Sequence, residues 1–150
     1  MSKGRFMNVI QKSITDAPDP FIVHGVNLRG KYNKGVAKAV RTLWPSAYDE
    51  YIRVFEKSKL GDYNIVKITP TLSIVNLFSQ NTYGNYGIHA NLEAIITGLW
   101  NFLQETKPSS IAIPPIGCGY GGLDWKDVSE AFTELENATG TTFNVYLGEK

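Results

Sequence analysis

The sequence predicts a layered α/β domain with a mostly parallel sheet. Two observations support this prediction. Short apolar segments rich in β-branched residues alternate with longer segments whose apolar residues recur at helical spacing. The connections between the short segments are long enough to contain helices, as the crossovers between parallel strands require. Ligands of such sheets bind at the carboxyl ends of the strands, so the loops that follow the strands are candidate sites.

Four elements are predicted in the first part of the chain. In order they are a strand at 6–10, a strand at 21–26, a helix that begins at 35 and a helix at 46–55. The strands are apolar and β-branched, and the turn between them contains two prolines. The helices carry apolar residues on one face. Pro45 separates them, because proline lacks a backbone donor and stops or kinks a helix.

Six further elements are predicted after residue 60. In order they are strands at 64–68 and 72–78, a helix at 92–103, a strand at 111–113, a helix at 125–135 and a strand at 142–147. The first two strands flank a short Thr-Pro-Thr segment and can form a hairpin. Residues 79–87 are polar and aromatic and are predicted as a loop. The helix at 92–103 has the clearest apolar stripe in the chain.

The composition limits the classes of function. The 150 residues are enough for one domain and leave no room for a second, so we expect a single domain over 1–150. A net charge of +1 disfavours a protein that mainly binds duplex DNA, and no basic stripe with interleaved aromatic residues indicates a single-stranded nucleic-acid binder. A single cysteine, Cys118, excludes an internal disulfide, and two histidines are too few for a histidine-rich metal centre. We therefore expect no metal and no cofactor.

The sequence also bears on location. No run of about 18 consecutive apolar residues is present, so no transmembrane helix is expected. The basic residues at 1–5 are followed by too few apolar residues for a signal peptide. We therefore expect a cytoplasmic protein, and we expect it to be a monomer.

The first glycine-rich loop is Gly30-Lys31-Tyr32-Asn33-Lys34-Gly35. It matches the first six positions of a P-loop, which continues with lysine and serine or threonine. Val36 and Ala37 follow instead, so the P-loop interpretation fails. The loop still leads into a helix N-terminus, where free N–H groups and the helix dipole suit a phosphate. An ordinary strand-to-helix turn is the alternative.

The second glycine-rich loop, Gly117-Cys118-Gly119-Tyr120-Gly121-Gly122, matches the G-x-G-x-x-G pattern of dinucleotide-binding domains. Only 28 residues follow Gly122, too few for a two-half Rossmann domain. Its glycines nevertheless let the backbone approach a diphosphate closely. Two such loops in one small domain indicate a ligand with linked phosphates.

These loops also resemble a known family. The segment 23–37, with its His-Gly-Val-Asn-Leu-Arg-Gly start, resembles the first ligand loop of macro domains, and the segment 113–125 resembles their second. The similarity extends over most of the chain. It is greatest to the branch that contains ADP-ribosyl glycohydrolases and ADP-ribose-1″-phosphate phosphatases. The resemblance implies a three-layer α/β/α fold with a mixed, mostly parallel sheet, and a pocket for ADP-ribose.

The resemblance also implies binding roles. The first loop would surround the distal ribose and one phosphate, and the second would hold the diphosphate. Ser13 stands where many macro domains have an aspartate that reads the adenine amino group. The ligand-binding residues implied in this way are Ser13, Gly30, Lys34, Gly35, Val36, Ala37, Gln80, Pro115, Ile116, Gly117, Cys118, Gly119, Tyr120, Gly121 and Gly122.

Two departures from the sequences of the related glycohydrolases determine the chemistry that we expect. Gln80 replaces the lysine of the related glycohydrolases, and an amide cannot act as an amine nucleophile. Gly121 replaces an acid of the second loop. The phosphatases resemble this chain through the histidine before the first loop. We therefore expect hydrolysis of ADP-ribose-1″-phosphate, with water placed or activated by His24, Asn27 and Asp124. The alternatives are a non-catalytic reader of ADP-ribose, and a hydrolase that removes ADP-ribosyl groups from protein or nucleic acid.

Simpler interpretations stand beside several of these roles. His24 could be packed under the loop with its ring hydrogen-bonded to backbone. Asp124 directly precedes an apolar helical segment, where aspartate commonly caps a helix. Cys118 is explained by the need for a small residue in a tight loop. Lys34 could assist phosphate binding or only solvate the loop. Two interpretations are open for Tyr83, Asn85 and Tyr86: they form an aromatic lid over the pocket, or they belong to a solvent-exposed loop.

Overall fold

The computed structural model describes residues 7–83 and 87–148, apart from the side chain of Tyr120. The described strands and α-helices are, in chain order, β1 (Asn8–Ile10), β2 (Phe21–Asn27), α1 (Gly35–Leu43), α2 (Pro45–Val54), β3 (Tyr63–Thr69), β4 (Leu72–Gln80), α3 (Leu92–Thr106), β5 (Ser110–Ile113), α4 (Trp125–Thr139) and β6 (Thr142–Tyr146). This order is the predicted one. Short 3-10 helices occur at Ile14–Asp16, Phe55–Lys57 and Gly119–Gly121.

These strands form one sheet in the order β1-β6-β5-β2-β4-β3. The pairs β1–β6, β5–β6, β2–β5 and β2–β4 are parallel. The pair β3–β4 is antiparallel, and it is the predicted hairpin. The expected mixed, mostly parallel sheet is therefore confirmed. Since β1 lies beside β6, the two ends of the described chain meet in the sheet.

Alternating side chains of the strands pack on opposite faces of the sheet. On one face, Val23 of β2 packs with Leu99 of α3 and Phe132 of α4 in an apolar cluster. On the other face, Ile22 packs with Val40 of α1 and Tyr51 of α2 in a second cluster. The sheet thus lies between two helical layers, as the resemblance implies.

Several predicted boundaries differ from the observed ones by one to four residues, and the difference at the end of β4 affects the site. The polar sequence of 79–87 predicts a loop, but Ser79 and Gln80 are the last residues of β4. The reason is pairing with distant residues. A register shift at the end of β2 brings Asn27 opposite Gln80, and Gln80 also bridges to Ala90. Sequence pattern within 72–87 contains no sign of either partner.

Parallel strands bring the two glycine-rich loops to the same edge of the sheet. β2 continues into the loop at 28–34 and then into α1, while β5 continues into the loop at 114–124 and then into α4. None of the described helices has the length and apolar character needed to cross a membrane.

Candidate functional site

A cleft lies between the two loops at the carboxyl ends of β2 and β5. It consists of two adjoining cavities. We call the one of about 430 Å³, which has the more polar walls, the polar cavity and the one of about 680 Å³ the apolar cavity. The residues that line both are Val36, Pro114, Pro115 and Cys118. Through these shared walls the two cavities form a continuous elongated site.

The polar cavity contains most of the predicted residues. Those that line it are His24, Asn27, Lys34, Val36, Ala37, Gln80, Pro115, Ile116, Gly117, Cys118 and Gly121. Tyr83, proposed as part of an aromatic lid, lines it too. Sequence reasoning missed Gly25 and Ser79, which also line this cavity. No local pattern marks the end of β4, and it is the extension of this strand to Gln80 that carries Ser79 into the sheet.

The apolar cavity contains three more predicted residues, namely Ser13, Gly35 and Gly119. Much of its remaining wall is apolar and includes Ile14, Ala39 and Leu147. Ser13 Oγ accepts a hydrogen bond from the backbone N–H of Thr15 and lies 2.7 Å from Thr15 Oγ1. Its hydroxyl therefore caps the first 3-10 helix and at the same time lies at the cavity wall.

Asn27 shapes the first loop from within. Its Oδ1 accepts hydrogen bonds from the backbone N–H groups of Arg29 at 2.9 Å and Lys31 at 3.2 Å. Its Nδ2 donates to the backbone carbonyl of Lys31 at 2.9 Å. The hydroxyl of Tyr51 lies 2.9 Å from Asn27 Oδ1 and accepts a hydrogen bond from the N–H of Gly30. The loop is thus held by two buried side chains.

His24 lies beneath this loop in a buried network. Its Nε2 is 2.7 Å from Asn76 Oδ1 and 2.9 Å from the Tyr32 hydroxyl. Asn76 donates from Nδ2 to the carbonyl of Ala47, so its Oδ1 is an acceptor and Nε2 of His24 carries the proton. Burial lowers the pKa of His24 to about 4, against the weaker opposing effect of Asn76. The imidazole is therefore neutral at neutral pH, and its Nδ1 offers a lone pair.

The second loop is shaped by its own backbone. Gly117 has φ +81° and Gly119 has φ +61°, values that favour glycine. A Cβ added to Gly117 would lie 2.7 Å from Leu123 Cδ1. The N–H of Leu123 donates to the carbonyl of Gly117 at 2.8 Å, and the N–H of Cys118 donates to that of Pro115 at 3.1 Å. These contacts fold the loop into a tight turn at the shared wall of the cavities.

Three predicted site residues are not among the described walls of either cavity. The backbone N–H of Gly30 donates to Tyr51 instead. A Cβ on Gly122 would meet the carbonyl of Gly87, which explains the glycine by packing. Asp124 is exposed and accepts a hydrogen bond from the N–H of Lys126, so it caps α4 as the simpler interpretation predicts. Its catalytic role stays a prediction. The side chain of Tyr120 and residues Asn85 and Tyr86 lie outside the described part.

Two further side chains limit the chemistry of the cleft. Burial and the carboxylate of Asp124 raise the pKa of the Cys118 thiol, which disfavours the reactive thiolate. Gln80 donates from Nε2 to the carbonyl of Thr82 at 2.7 Å. Among the described residues, no group of three or more His, Cys, Asp or Glu side chains is placed to hold a metal ion.

Comparisons with known proteins agree with this fold. The family model described as Macro domain matches residues 23–132, a range that includes both loops. A DNA ADP-ribosyl glycohydrolase of Thermus aquaticus is 28% identical over 146 residues, which cover 93% of this chain and 41% of that protein. The chain thus spans about two fifths of the length of that relative.

In two more comparisons the match covers most of the other chain. An ADP-ribose 1″-phosphate phosphatase of Candida albicans is 26% identical over 138 residues, which cover 84% of this chain and 86% of that protein. The structure of the macrodomain of Thermus aquaticus DarG superposes with a TM-score of 0.80 at 25% identity. That superposition covers 95% of this chain and 97% of the DarG chain.

Proposed function

This chain belongs to the macro domain family, and we propose that its cleft binds ADP-ribose or an ADP-ribose derivative. One observation carries the proposal. A polar cavity and an apolar cavity adjoin, and both glycine-rich loops contribute to their walls. A ligand with a flat base at one end, a sugar at the other and phosphates between them matches this division.

The polarity of the walls supports one orientation of the ligand. The base would lie in the apolar cavity against Ile14 and Val36, and the distal ribose would lie in the polar cavity with His24 and Ser79. The phosphates would lie between them, near the N-terminus of α1, which begins at Gly35. Helix N-termini and glycine backbones favour phosphate oxygens.

Calorimetric titration with ADP-ribose tests the binding proposal, with AMP and NAD as comparison ligands. Ala39→Phe places an aromatic ring at the wall of the apolar cavity, and we expect it to weaken ADP-ribose and AMP binding about 10-fold or more. Ala138→Phe is the matched control, because Ala138 is an exposed residue of α4 that lines neither described cavity wall. Absence of binding by the unmodified protein would refute the proposal.

We further propose that the site removes the 1″-phosphate from ADP-ribose-1″-phosphate. Similarity to the Candida albicans phosphatase supports this reaction, as does the replacement of the glycohydrolase lysine by Gln80. His24 is the residue best suited to act on water, because the neutral imidazole can accept a hydrogen bond at Nδ1. Asn27 and Asp124 stay part of the proposal, although both side chains already hold local backbone.

Release of inorganic phosphate from ADP-ribose-1″-phosphate measures this activity. We expect His24→Ala to reduce turnover about 100-fold or more and to change ADP-ribose affinity by less than about 3-fold. His24→Gln is the second variant, because its amide N–H can replace Nε2 in the network while the imidazole is lost. Unchanged turnover in a folded variant would remove His24 from the mechanism.

A non-catalytic reader is the second candidate. The observation that favours it is the burial of His24, which lowers its pKa to about 4 and makes the imidazole a weak base. Binding of ADP-ribose without release of phosphate would support this candidate. Gln80→Lys tests the remaining hypothesis, since a gain of activity on ADP-ribosylated protein or DNA would indicate an ADP-ribosyl hydrolase scaffold.

A further inference from the structure

Two buried polar atoms of the polar cavity have no hydrogen-bond partner among the described residues. They are Nδ1 of His24 and Oγ of Ser79. His24 is 1% exposed and Ser79 is 0% exposed. Buried polar atoms are nearly always hydrogen-bonded in native proteins, so an unpaired hydroxyl in a cavity wall indicates a use. The expected chemistry assigns no role to Ser79.

The surroundings of Ser79 place its hydroxyl in the wall of the polar cavity, beside Gly25 and Ile116. A Cβ added to Gly25 would lie 2.4 Å from Ser79 Oγ and 3.0 Å from Ile116 Cγ2. The hydroxyl therefore occupies the space that the missing side chain of Gly25 leaves, close to the second loop. Ser79, Gly25 and Ile116 all line the polar cavity. This is the seam at which β2, β4 and the second loop meet.

The backbone at this seam is fixed, which holds the hydroxyl in place. The carbonyl of Ser79 accepts a hydrogen bond from the N–H of Asn91 at 2.8 Å. The next residue, Gln80, pairs with Asn27 and with Ala90. A preorganised hydroxyl can bind a ligand group without a further loss of conformational entropy.

We propose that Ser79 is a specificity-determining residue that hydrogen-bonds a hydroxyl of the sugar in the polar cavity. The inference rests on the proposed binding of ADP-ribose. A serine hydroxyl both donates and accepts, as a sugar hydroxyl does, whereas Nδ1 of the neutral His24 only accepts. Contact with the sugar separates ADP-ribose from ADP and AMP, which share its adenosine and both or one of its phosphates but lack the distal ribose.

The test measures the affinities of ADP-ribose and ADP by calorimetry for Ser79→Ala. We expect the affinity for ADP-ribose to fall about 5- to 10-fold, the value of one hydrogen bond, and the affinity for ADP to change less than about 2-fold. Ser73→Ala is the matched control, because Ser73 belongs to the same strand and is not among the described walls of either cavity. Its affinities should equal those of the unmodified protein.

Thermal unfolding of the unliganded protein separates a ligand contact from a structural role. Since the Ser79 hydroxyl has no described partner, Ser79→Ala should leave the Tm unchanged or raise it. An unchanged affinity for ADP-ribose, an equal loss for ADP, or a lower Tm would each overturn the inference and leave the proposed function intact. If the unmodified protein binds neither ligand, the proposed function fails and this inference fails with it.

Discussion

The two glycine-rich loops border one cleft but are held in different ways. The first loop is held by side chains, because Asn27, which directly precedes it, and Tyr51 of α2 take up its backbone N–H and C=O groups. The second loop is held by hydrogen bonds within its own backbone and by glycines of positive φ such as Gly117. Removal of a side chain should therefore damage the first loop, and addition of one should damage the second.

The largest effect that we expect is in the first loop. Asn27→Ala leaves two N–H groups and one carbonyl of the loop without their partner, so the free energy of unfolding should fall by about 4 kcal/mol. Urea denaturation measures this loss. The control is Asn8→Ala, which removes one exposed hydrogen bond to Asn144 and should cost less than about 0.5 kcal/mol. Equal losses in the two variants would contradict the comparison.

In the second loop, two glycines allow backbone strain to be separated from steric contact. Gly117→Ala puts an alanine at a positive φ and also places its Cβ 2.7 Å from Leu123 Cδ1. The free energy of unfolding should therefore fall by about 3 kcal/mol. Gly119→Ala tests the strain of a positive φ alone, because no atom lies within 4 Å of the added Cβ. The free energy of unfolding should fall by about 1 kcal/mol. Urea denaturation of both variants gives the two values. A more stable Gly117→Ala variant would show that the turn does not require glycine there.

Acid should act on the underside of the first loop through His24. Burial lowers the pKa of His24 to about 4, whereas the unfolded chain has the ordinary value of 6.5. Between these values the unfolded state binds a proton that the folded state does not. The contribution of His24 to the free energy of unfolding is therefore fully present above pH 6.5. As the pH falls towards 4, this contribution decreases by about 3 kcal/mol.

The measurement is the free energy of unfolding from pH 7 to pH 4 for the unmodified protein and for His24→Gln. Carboxyl groups contribute to both proteins, so the difference between the two curves isolates the histidine. We expect the unmodified protein to lose more stability over this interval. Parallel curves would mean that His24 titrates normally in the fold.

A smaller effect than that of Asn27→Ala is expected for the hydroxyl of Tyr51, the second side chain that holds the first loop. Tyr51→Phe keeps the buried ring and removes the hydroxyl that accepts from Gly30 and contacts Asn27, so about 1 to 2 kcal/mol should be lost. Tyr63→Phe is the control, because its hydroxyl donates to Glu105 at an exposed position. Chemical denaturation should show a clear loss only for Tyr51→Phe.

The fold follows from the sequence to the extent that local pattern determines it. The apolar periodicities predict the order of strands and helices, and proline predicts the break between α1 and α2. The end of β4 was not predictable, because it depends on Asn27 and Ala90, which are distant in sequence. Local propensity carries no information on such pairing.

The candidate site divides in the same way. Both loops are visible as glycine motifs, since tight turns require a residue type that the sequence displays. The sequence does not predict the hydrogen bond from the N–H of Gly30 to the hydroxyl of Tyr51, because Tyr51 lies on a different element, α2. Ser79 was missed because its burial depends on the strand that places it. Residues whose role depends on a tertiary neighbour thus escape sequence reasoning.

The apolar cavity takes its walls from both ends of the described chain. Ser13 and Ile14 follow β1, whereas Leu147 and Gly148 follow β6, and the two strands pair side by side. During translation, the end of the cleft assigned to the base therefore cannot exist until residue 148 has left the ribosome. A ligand of this cavity would therefore bind only chains in which β1 and β6 have paired, and its binding would stabilise the folded domain.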